Sequence, residues 1–397
     1  MGAQAIGSAT VIVSAKGAAR WQAGHPWIYR TDIYDEPRDA AGIVTVADRR
    51  GRRHGQALYS PKSEIRLRLL TRGGEPIDAA WWEDRIRTAA ALRSGIDATA
   101  YRVVHAEGDG LPSLTVDRYG PYVVAQLLSA GLERVRADVV AGIRAALQPD
   151  GILLRNDAAI RRHEGLPLEV VPVDGVVPDT IEVAEHGVRY LTAPRTGQKT
   201  GAFLDQRENR VLVAEATHPG GTGGHRALDA FAYHGSFALH LARRVAEVVA
   251  VDSSAEALER GRANAALNGV ANITWREANA FDLLRELERR EETFDTVVLD
   301  PPAFAKTKQS VAKALGGYKE INLRAMRLLA PGGILFTCSC SYHVRREHFA
   351  AMLAAAAEDS GRRLQLLTWT GAGRDHPELL NVPETGYLKG ALLRAAD

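Results

Sequence analysis

Cysteine is scarce in this chain of 397 residues, which contains only Cys338 and Cys340. Two cysteines cannot build a disulfide scaffold or supply the four ligands of a structural zinc site, and we predict no metal site. No stretch approaches the roughly 18 apolar residues of a membrane span, and the opening MGAQAIGSATVIVSAKGAAR lacks an apolar core of signal-peptide length. We therefore expect a reduced, soluble protein of the cytoplasm.

A large excess of one charge is also missing. Lys and Arg total 50 against 48 Asp and Glu, which excludes a uniformly basic, histone-like binder. The charge is uneven, however, because residues 1–75 contain 12 Lys and Arg but 7 Asp and Glu. Two short β-type runs at 42–46 and 56–59 flank a cluster of four arginines, Arg49, Arg50, Arg52 and Arg53. This hairpin tip is either a solvated loop or a phosphate contact, the second if other features indicate nucleic acid.

The length predicts two or three domains at roughly 150 residues each. Residues 1–75 have short strand patterns and no long helical pattern, which indicates a small β module. Residues 76–190 are predicted to form a linker helix, over 78–95, and a small α+β middle domain. From 191 to 397 strands alternate with helices, which is typical of a doubly wound parallel sheet. The predicted fold class is therefore α/β, with two small domains before the sheet domain.

The sheet domain lacks the common glycine-rich nucleotide motifs. ALDAFAYHGSFALHLARR at 227–244 is a strand, a turn and a helix, but it has only Gly235 and matches neither G-x-G-x-x-G nor G-x-x-x-x-G-K-[ST]. A nicotinamide-linked oxidoreductase is therefore disfavoured. The next strand ends in Asp252, about 20 residues further on, where a carboxylate suits ribose hydroxyls. After a third strand, the side-chain amide of Asn279 is a candidate to contact an adenine edge.

Two further strands bring reactive groups to one edge of the predicted sheet. The fourth strand ends in Asp300, and the prolines after it stop the strand and present the carboxylate where open α/β sheets bind ligands. Residues 334–341, ILFTCSCS, are predicted to be a strand running to the same edge. Period-two alternation places Cys338 and Cys340 on one face, with Cys340 nearer the strand end. Both cysteines are alternatively small buried hydrophobic residues.

These segments together resemble a known family. LDAFAYHG, VDSS, EANAF and DPPAF follow the order of the binding motifs of class I S-adenosylmethionine-dependent methyltransferases. TGAFLDQRENR, GGYKEINLRAMRLLAPGG, TCSCS and DHPELLNVPETGYLKG are similar to bacterial 23S ribosomal RNA cytosine-5 methyltransferases with an N-terminal PUA domain, and AGHPWIYRTDI resembles the start of that PUA module. The resemblance covers nearly the whole chain and is weakest in the middle domain.

The resemblance implies a PUA-like RNA-binding domain at 1–75, a class I Rossmann-like methyltransferase domain at 191–397 and S-adenosylmethionine as the cofactor. It implies that the cofactor contacts Phe203, Gln206, Arg207, Asp229, Tyr233, Gly235, Ser236, Asp252, Ser253, Asn279, Ala280, Asp300 and Pro301. The family more often has an aspartate at the position of Asn279, but an amide oxygen also accepts from the adenine amino group. Arg207 is alternatively part of a structural salt bridge.

The implied reaction needs a nucleophilic cysteine. Carbon 5 of cytosine reacts with a methyl donor only after a thiolate has added to carbon 6, and a base then removes the carbon 5 proton. The family pattern places the nucleophile at the cysteine flanked by two serines, Cys340, and leaves Cys338 to packing. Asp300 is a candidate to hydrogen-bond cytosine N3 or its amino group, whereas the base is not assigned. His343 either lowers the pKa of Cys340 or faces outward.

The implied partner is 23S ribosomal RNA, unassembled or partly assembled, because the target base must leave its stack to react. The candidate RNA contacts are Arg49, Arg50, Arg52, Arg53, Phe304 and Lys306. No membrane is expected, and the oligomeric state stays open, a homodimer included. Two other functions also stay open: a guanine N7 or N2 ribosomal RNA methyltransferase, which needs no cysteine, and a non-catalytic PUA-type RNA-binding assembly factor.

Overall fold

The computed structural model describes residues 9–37, 41–217, 224–305 and 307–396. The chain forms two compact units, each built from three separate stretches. The first unit contains the residues up to Ile181 together with 192–204 and 374–385, and the second unit contains 182–191, 205–373 and 386–397. Within the described ranges, no helix combines the length and the apolar character needed to cross a membrane.

The first unit begins with a six-stranded sheet. Its elements are β1 Thr10–Val13, α1 Ala15–Gln22, β2 Trp27–Tyr29, β3 Ile33–Asp35, β4 Gly42–Asp48, β5 Arg53–Tyr59 and β6 Ile65–Thr71. The strand order is β2-β6-β5-β4-β1-β3, and only β1 and β4 pair in parallel. The strand patterns missed α1, which begins where the Ser14 hydroxyl accepts from the Gly17 N–H at 3.0 Å. Buried Trp21 anchors this helix in the core of the sheet.

A five-stranded sheet follows in the same unit. Its elements are α2 Ala79–Ala91, β7 Ala100–His105, β8 Leu114–Tyr119, β9 Tyr122–Leu127, α3 Ala130–Arg134, α4 Arg136–Leu147, β10 Gly151–Asn156, α5 Ile160–His163 and β11 Glu169–Gly175. The strand order is β11-β10-β9-β8-β7, with β9 and β10 parallel. Helices α3 and α4 are separated only by Val135, where φ is −106° and ψ is 21°. Gly142 lets α4 approach α2 closely, since a Cβ there would lie 2.7 Å from Cβ of Trp82.

The stretch 374–385 completes the first unit. Oδ2 of Asp375 accepts from the Arg102 N–H at 2.9 Å, and its carbonyl oxygen accepts from Nη2 of Arg93 at 2.9 Å. The Arg93 guanidinium is fully buried and also donates twice to Asp109, at 2.6 Å each. A segment late in the sequence therefore supplies hydrogen-bond acceptors to the five-stranded sheet, which holds residues from the first half.

The second unit is built on a seven-stranded sheet, and a hairpin formed by β12 Ile181–Glu185 and β13 Val188–Thr192 supplies its first stretch. The remaining elements are α6 Arg207–Ala216, β14 Arg226–Ala230, α7 Ser236–Ala242, β15 Glu247–Asp252, α8 Ala255–Leu267, β16 Ile273–Glu277, α9 Ala280–Arg289, β17 Phe294–Leu299, α10 Val311–Arg327, β18 Leu329–Ser339, α11 Arg346–Ser360, β19 Leu364–Thr370 and β20 Lys389–Ala395. The strand order is β16-β15-β14-β17-β18-β20-β19.

The strand order creates a ligand crevice. The chain starts in the middle of the sheet with β14, adds β15 and β16 on one side, and then crosses to add β17 and β18 on the other. All of these neighbours are parallel, whereas β20 is antiparallel to both β18 and β19. Open α/β sheets bind ligands at the carboxyl ends of the strands beside such a reversal. The doubly wound α/β prediction is confirmed, while the domain boundaries after residues 75 and 190 stay predictions.

Candidate active site

The turn between β14 and α7 has a strained backbone. Phe231 and Tyr233 have φ values of 71° and 51°, and Gly235 follows at 79°. A Cβ on Gly235 would lie 2.3 Å from the Trp275 ring, so no residue with a side chain fits there without a shift. Left-handed backbone at residues other than glycine costs about 1–3 kcal/mol and is concentrated at ligand sites. The predicted residues Tyr233, Gly235 and Ser236 all belong to this turn or to the first residue of α7.

Asp229, on β14, is a buried carboxyl group beside the turn. Its Oδ2 accepts from the Ala238 N–H at 2.9 Å, and its Oδ1 has no hydrogen-bond partner among the described residues. Burial, with the charges of Asp300 and Asp252 adding to it, raises the pKa of Asp229 to about 8. Three carboxyl groups thus come from the carboxyl-terminal ends of β14, β15 and β17, and this set favours a cationic ligand.

Asp252 ends β15 and fixes the neighbouring loops. Its Oδ2 accepts from the Tyr233 N–H and its Oδ1 from the Ser254 N–H, both at 2.9 Å. A carboxylate has about four acceptor positions, so these two bonds leave capacity for hydroxyl donors. Ser253, beside it, is exposed. The arrangement suits a ribose, as the position of Asp252 in the sequence predicts.

Asn279 has a structural role, whereas the adenine contact stays a prediction. It is the N-cap of α9, and its Oδ1 accepts from the Phe281 N–H at 2.9 Å. The family resemblance implies that this same oxygen accepts from the adenine amino group. An amide oxygen has two lone pairs, so the cap leaves one acceptor position. Ala280, the first residue of α9, is buried.

Cys338 is fully buried at the carboxyl end of β18 and is hydrogen-bonded on two sides. Its thiol donates to Oδ1 of Asp300 at 2.9 Å, and its Sγ accepts from Nε2 of Gln206 at 3.2 Å. Burial, followed by the Asp300 charge, raises the pKa of Cys338 well above its usual range. The thiol therefore stays protonated at neutral pH and remains a donor, which adds to the packing role expected for it.

Cys340 lies beyond the strand that was predicted to contain it. β18 ends at Ser339, because Cys340 and Ser341 turn away from the ladder with β20. Cys340 is half-buried, with its Sγ 3.8 Å from the Pro301 carbonyl oxygen. The neighbouring strand β20 holds this turn in place, since Nζ of Lys389 donates to the Ser341 carbonyl at 2.7 Å. The thiol thus sits beside the Asp300–Pro301 segment and is partly accessible.

Ser341 links two loops of the second unit. Oγ of Ser341 accepts from the Ala305 N–H at 3.1 Å and lies 2.9 Å from the Tyr318 hydroxyl. The loop after β17 and the loop after β18 are joined through this one side chain. Sequence reasoning missed Tyr318 and Lys389, although both lie in quoted motifs. Their contacts depend on how distant strands and helices pair, which no local pattern reveals.

Three other residues predicted to contact the cofactor, Phe203, Gln206 and Arg207, make contacts of their own. Arg207 is buried and donates to Oε1 of Glu208 at 2.8 Å, so the salt-bridge alternative is present in the structure. Phe203 belongs to the first unit, where its ring centroid is 4.7 Å from Nζ of Lys199, whereas Gln206 belongs to the second. The cofactor roles of these residues stay predictions.

Of the residues predicted near the substrate, Phe304 has its ring centroid 4.5 Å from that of Tyr318, within an aromatic cluster. Lys306 lies outside the described residues. His343 makes an edge-on contact with exposed Tyr342, with ring centroids 5.1 Å apart. Contact of these residues with RNA, and an effect of His343 on Cys340, stay predictions.

The basic tip joins β4 to β5 in the first unit, as predicted. Asp48 organises it, because its Oδ1 accepts from the N–H groups of Arg50 and Arg52 at 2.9 and 3.1 Å. The Arg49 guanidinium lies 3.5 Å from the centre of the Tyr34 ring. Arg53 lines a cavity of about 590 Å³, whose other lining residues are Thr10, Thr45, Gly55, Gln56, Arg72, Gly73 and Gly74.

Family models match two parts of the chain. A model described as S-adenosylmethionine-dependent methyltransferase matches residues 154–393, and one described as PUA-like domain matches 11–72. Proteins named ribosomal RNA large subunit methyltransferase I are similar over nearly the whole chain. The one from Klebsiella pneumoniae (strain 342) is 37% identical over 383 residues, covering 93% of this chain and 94% of that protein. The one from Aeromonas salmonicida (strain A449) is 38% identical, covering 94% and 95%.

Solved structures show the same fold. A SAM-dependent methyltransferase from Streptococcus mutans superposes with a TM-score of 0.81 at 18% identity, covering 97% of this chain and all of that one. A methyltransferase solved in complex with SAH gives a TM-score of 0.82 at 19% identity, with the same coverage.

The residues at the carboxyl edge fit the cofactor of this family. S-adenosylmethionine carries a sulfonium and an ammonium group, and the edge presents Asp229, Asp252 and Asp300. The open Oδ1 of Asp229 and the tight turn at Gly235 provide a polar site next to a close backbone approach. The chain belongs to the S-adenosylmethionine-dependent methyltransferase family, in the group of ribosomal RNA large subunit methyltransferase I proteins, and carries a PUA-like domain ahead of its methyltransferase domain.

Proposed function

We propose that this protein methylates carbon 5 of a cytosine in 23S ribosomal RNA of the large subunit, with Cys340 as the nucleophile. The observation that carries the proposal is the position of Cys340, half-buried at the carboxyl edge and 3.8 Å from the Pro301 carbonyl oxygen. The names of the relatives, which specify large-subunit ribosomal RNA, support the substrate class. Methylation of guanine N7 or N2 would require no thiol at this position.

Cys340 acts by covalent catalysis in this proposal. Its thiolate adds to carbon 6 of cytosine, a sulfur–carbon bond forms, and the electron pair of the 5,6 double bond makes carbon 5 nucleophilic. When bound, S-adenosylmethionine supplies an electrophilic methyl group. A base then takes the proton from carbon 5, the sulfur–carbon bond breaks, and the thiolate leaves as the double bond forms again. Because no cysteine follows Pro301 directly, release does not use a second thiol there.

Asp300 orients the ring in this reaction. A carboxylate at the end of β17 accepts a hydrogen bond from the exocyclic amino group of cytosine, or from N3–H once the adduct has formed. The bond from N3–H favours the adduct over the free base, because this donor exists only in the adduct and charge-assisted hydrogen bonds are the stronger ones. Asp300 is beside Cys340 in the fold, since each follows the end of one of two paired strands, β17 and β18.

The cofactor is held by residues of three strand ends. Asp229 receives the ammonium group of the methionine end, and Asp252, with Ser253 beside it, receives the ribose hydroxyls. The adenine lies by Asn279 and Ala280. The remaining contacts of the proposed cofactor site come from Phe203, Gln206, Arg207, Tyr233, Gly235, Ser236 and Pro301.

The RNA is held partly by the first unit. Arg49, Arg50, Arg52 and Arg53 contact phosphates, which supply most of the affinity without reading the sequence. Phe304 and Lys306 meet the nucleotides around the target. The target cytosine has to leave its stack, so RNA that is not fully assembled into the subunit is the better substrate.

The test is methyl transfer from labelled S-adenosylmethionine to unmodified ribosomal RNA, followed by nucleoside mass spectrometry. Wild-type protein should yield 5-methylcytidine, and Cys340→Ala should lower the rate by at least about 1,000-fold, as expected on removing a nucleophile. RNA containing 5-fluorocytidine, which has no removable carbon 5 proton, should trap the adduct on the peptide with Cys340. The other cysteine, Cys338, is the internal control and should stay unmodified. A methylguanosine product, or full activity of Cys340→Ala, would refute the proposal.

A further inference from the structure

We propose that Cys338 is a positioning residue for this reaction: its thiol fixes the orientation of the Asp300 carboxylate, and Gln206 holds the thiol in place. The inference rests on the proposed function, because it takes Asp300 as the group that orients cytosine. It gives Cys338 a part in the reaction that its position in the core would not suggest.

The geometry defines which atom the thiol contacts. Sγ of Cys338 is 2.9 Å from Oδ1 of Asp300 but 3.6 Å from the carbonyl oxygen of Leu299, so the carboxylate is its main acceptor. Residue 299 pairs with residue 337 across β17 and β18, and Asp300 and Cys338 are therefore the next residues along the two strands. Charged acceptors shorten and strengthen hydrogen bonds. The Cys338 thiol thereby fixes one carboxylate oxygen of Asp300, between the end of β17 and Pro301.

The thiol is itself held by a chain of donors. Nδ2 of Asn209 donates to Oε1 of Gln206 at 2.6 Å, and Nε2 of Gln206 donates to Sγ of Cys338 at 3.2 Å. Asn209 is anchored in turn, since the same Nδ2 donates to the Gly371 carbonyl at 3.0 Å. The donors in the series from Asn209 through Gln206 to Cys338 point towards Asp300, and hydrogen bonds aligned in this way polarise one another. The chain ends on a group that the proposed mechanism uses.

Burial makes the thiol suitable for this role. Cys338 has no exposed surface, and its environment keeps it in the protonated, donating form. A packing residue would need the volume and apolar character of the side chain but not its donor. The positioning role therefore requires a hydrogen-bond donor and the packing role does not, so substitutions that keep or remove the donor distinguish them.

The experiment compares Cys338→Ala, Cys338→Val and Cys338→Ser in the full-length protein, with kcat, KM for RNA, the pH profile of kcat and Tm measured for each. Alanine and valine remove the donor, and valine keeps the apolar packing, so both should lower kcat about 10- to 100-fold with KM for RNA within about twofold. Serine keeps an O–H donor and should retain kcat within about threefold. The acid limb of the pH profile should move to higher pH in alanine and valine variants only, because a carboxylate that loses a donor takes up a proton more readily.

Val297→Ala is the matched control. Val297 is fully buried on β17, two residues before the strand ends, and its side chain has no hydrogen-bond donor, so the substitution should lower Tm but leave kcat unchanged. The inference is overturned if Cys338→Val has wild-type kcat and pH profile, or if kcat in all three cysteine variants follows Tm. Failure of the proposed function would appear elsewhere, as a wild-type product other than 5-methylcytidine.

Discussion

Binding of the cofactor should release a proton from Asp229. Its carboxyl group is 1% exposed, and burial with the nearby Asp300 and Asp252 holds its pKa at about 8. At pH 7 the group is therefore mostly protonated. In the proposed cofactor site, the ammonium group of S-adenosylhomocysteine lies against this carboxyl group and favours the ionised carboxylate, so the proton should leave when the ligand binds.

The size of the effect follows from linkage between proton and ligand. If the bound state restores the pKa of Asp229 to its ordinary value of 3.8, each pH unit below 8 weakens binding by up to tenfold. Between pH 7.5 and pH 5.5 the Kd should rise about 50- to 100-fold. Near pH 6.5 almost one proton should be released for each ligand bound.

Isothermal titration calorimetry with S-adenosylhomocysteine measures both quantities. Repeating the titration in two buffers of different ionisation enthalpy gives the number of protons released. Asp229→Asn should bind more weakly, release no proton and show a Kd that varies less than about threefold over this pH range. Glu256→Gln, at an exposed carboxylate in the first turn of α8, is the control and should behave as the wild type.

The stability of the protein without ligand provides a second measure. The carboxyl group of Asp229 ionises near its ordinary value of 3.8 in the unfolded chain and at about 8 in the folded one, so the folded state binds more protons between these values. Stability should therefore fall as the pH rises from about 4 to about 8, and level off above that range. Tm of the wild type should fall relative to Asp229→Asn over this range. A Kd for S-adenosylhomocysteine that stays constant from pH 5.5 to 7.5 would refute the reasoning.

Three further substitutions test other parts of the molecule. Gly235 has φ 79°, and the Cβ of Gly235→Ala would lie 2.3 Å from the Trp275 ring. This substitution should cost about 2 kcal/mol or more in stability and abolish S-adenosylhomocysteine binding in calorimetry. Unchanged binding would contradict the tight turn. Glu185→Gln removes the buried charge to which Nη1 of Arg210 donates at 2.8 Å. The free energy of unfolding in chemical denaturation should fall by about 3–5 kcal/mol. A fall of less than about 1 kcal/mol would argue against an essential ion pair. Arg53→Glu should weaken binding of ribosomal RNA in filter-binding assays between about 50 and 200 mM salt. The slope of log affinity against log salt should fall by the equivalent of about one to two phosphate contacts. An unchanged slope would exclude this arginine from the interface.

The central strands of the second unit could be predicted because their signal is local. Buried parallel strands are continuous apolar runs, and Asp252 at the end of β15 and Asp300 directly after β17 mark the carboxyl edge. The position of β20 between β18 and β19 could not be predicted, since it depends on pairing between residues far apart in the sequence. Helix α1 was missed because it is only eight residues long.

The site shows the same limit at the level of single side chains. Alternation along β18 predicts which face Cys338 occupies but not that Asp300 of the neighbouring strand accepts from its thiol. No local pattern marks the division of the chain between Phe203 and Gln206, which belong to different compact units. Local patterns thus identify the edge and its candidates, and the hydrogen bonds that select among them depend on the tertiary fold.

The interleaved stretches of the first unit have a consequence for biosynthesis. Its last stretch, 374–385, is translated only after nearly 200 further residues, which takes roughly 10–40 s at typical elongation rates of 5–20 residues per second. During that interval the nascent unit lacks Asp375, the acceptor for Arg93 and Arg102. The first unit to emerge from the ribosome is therefore completed only when the second is almost fully synthesised. A shortened chain ending at residue 181 would keep Arg93 paired with Asp109 but would never acquire the Asp375 carbonyl as an acceptor.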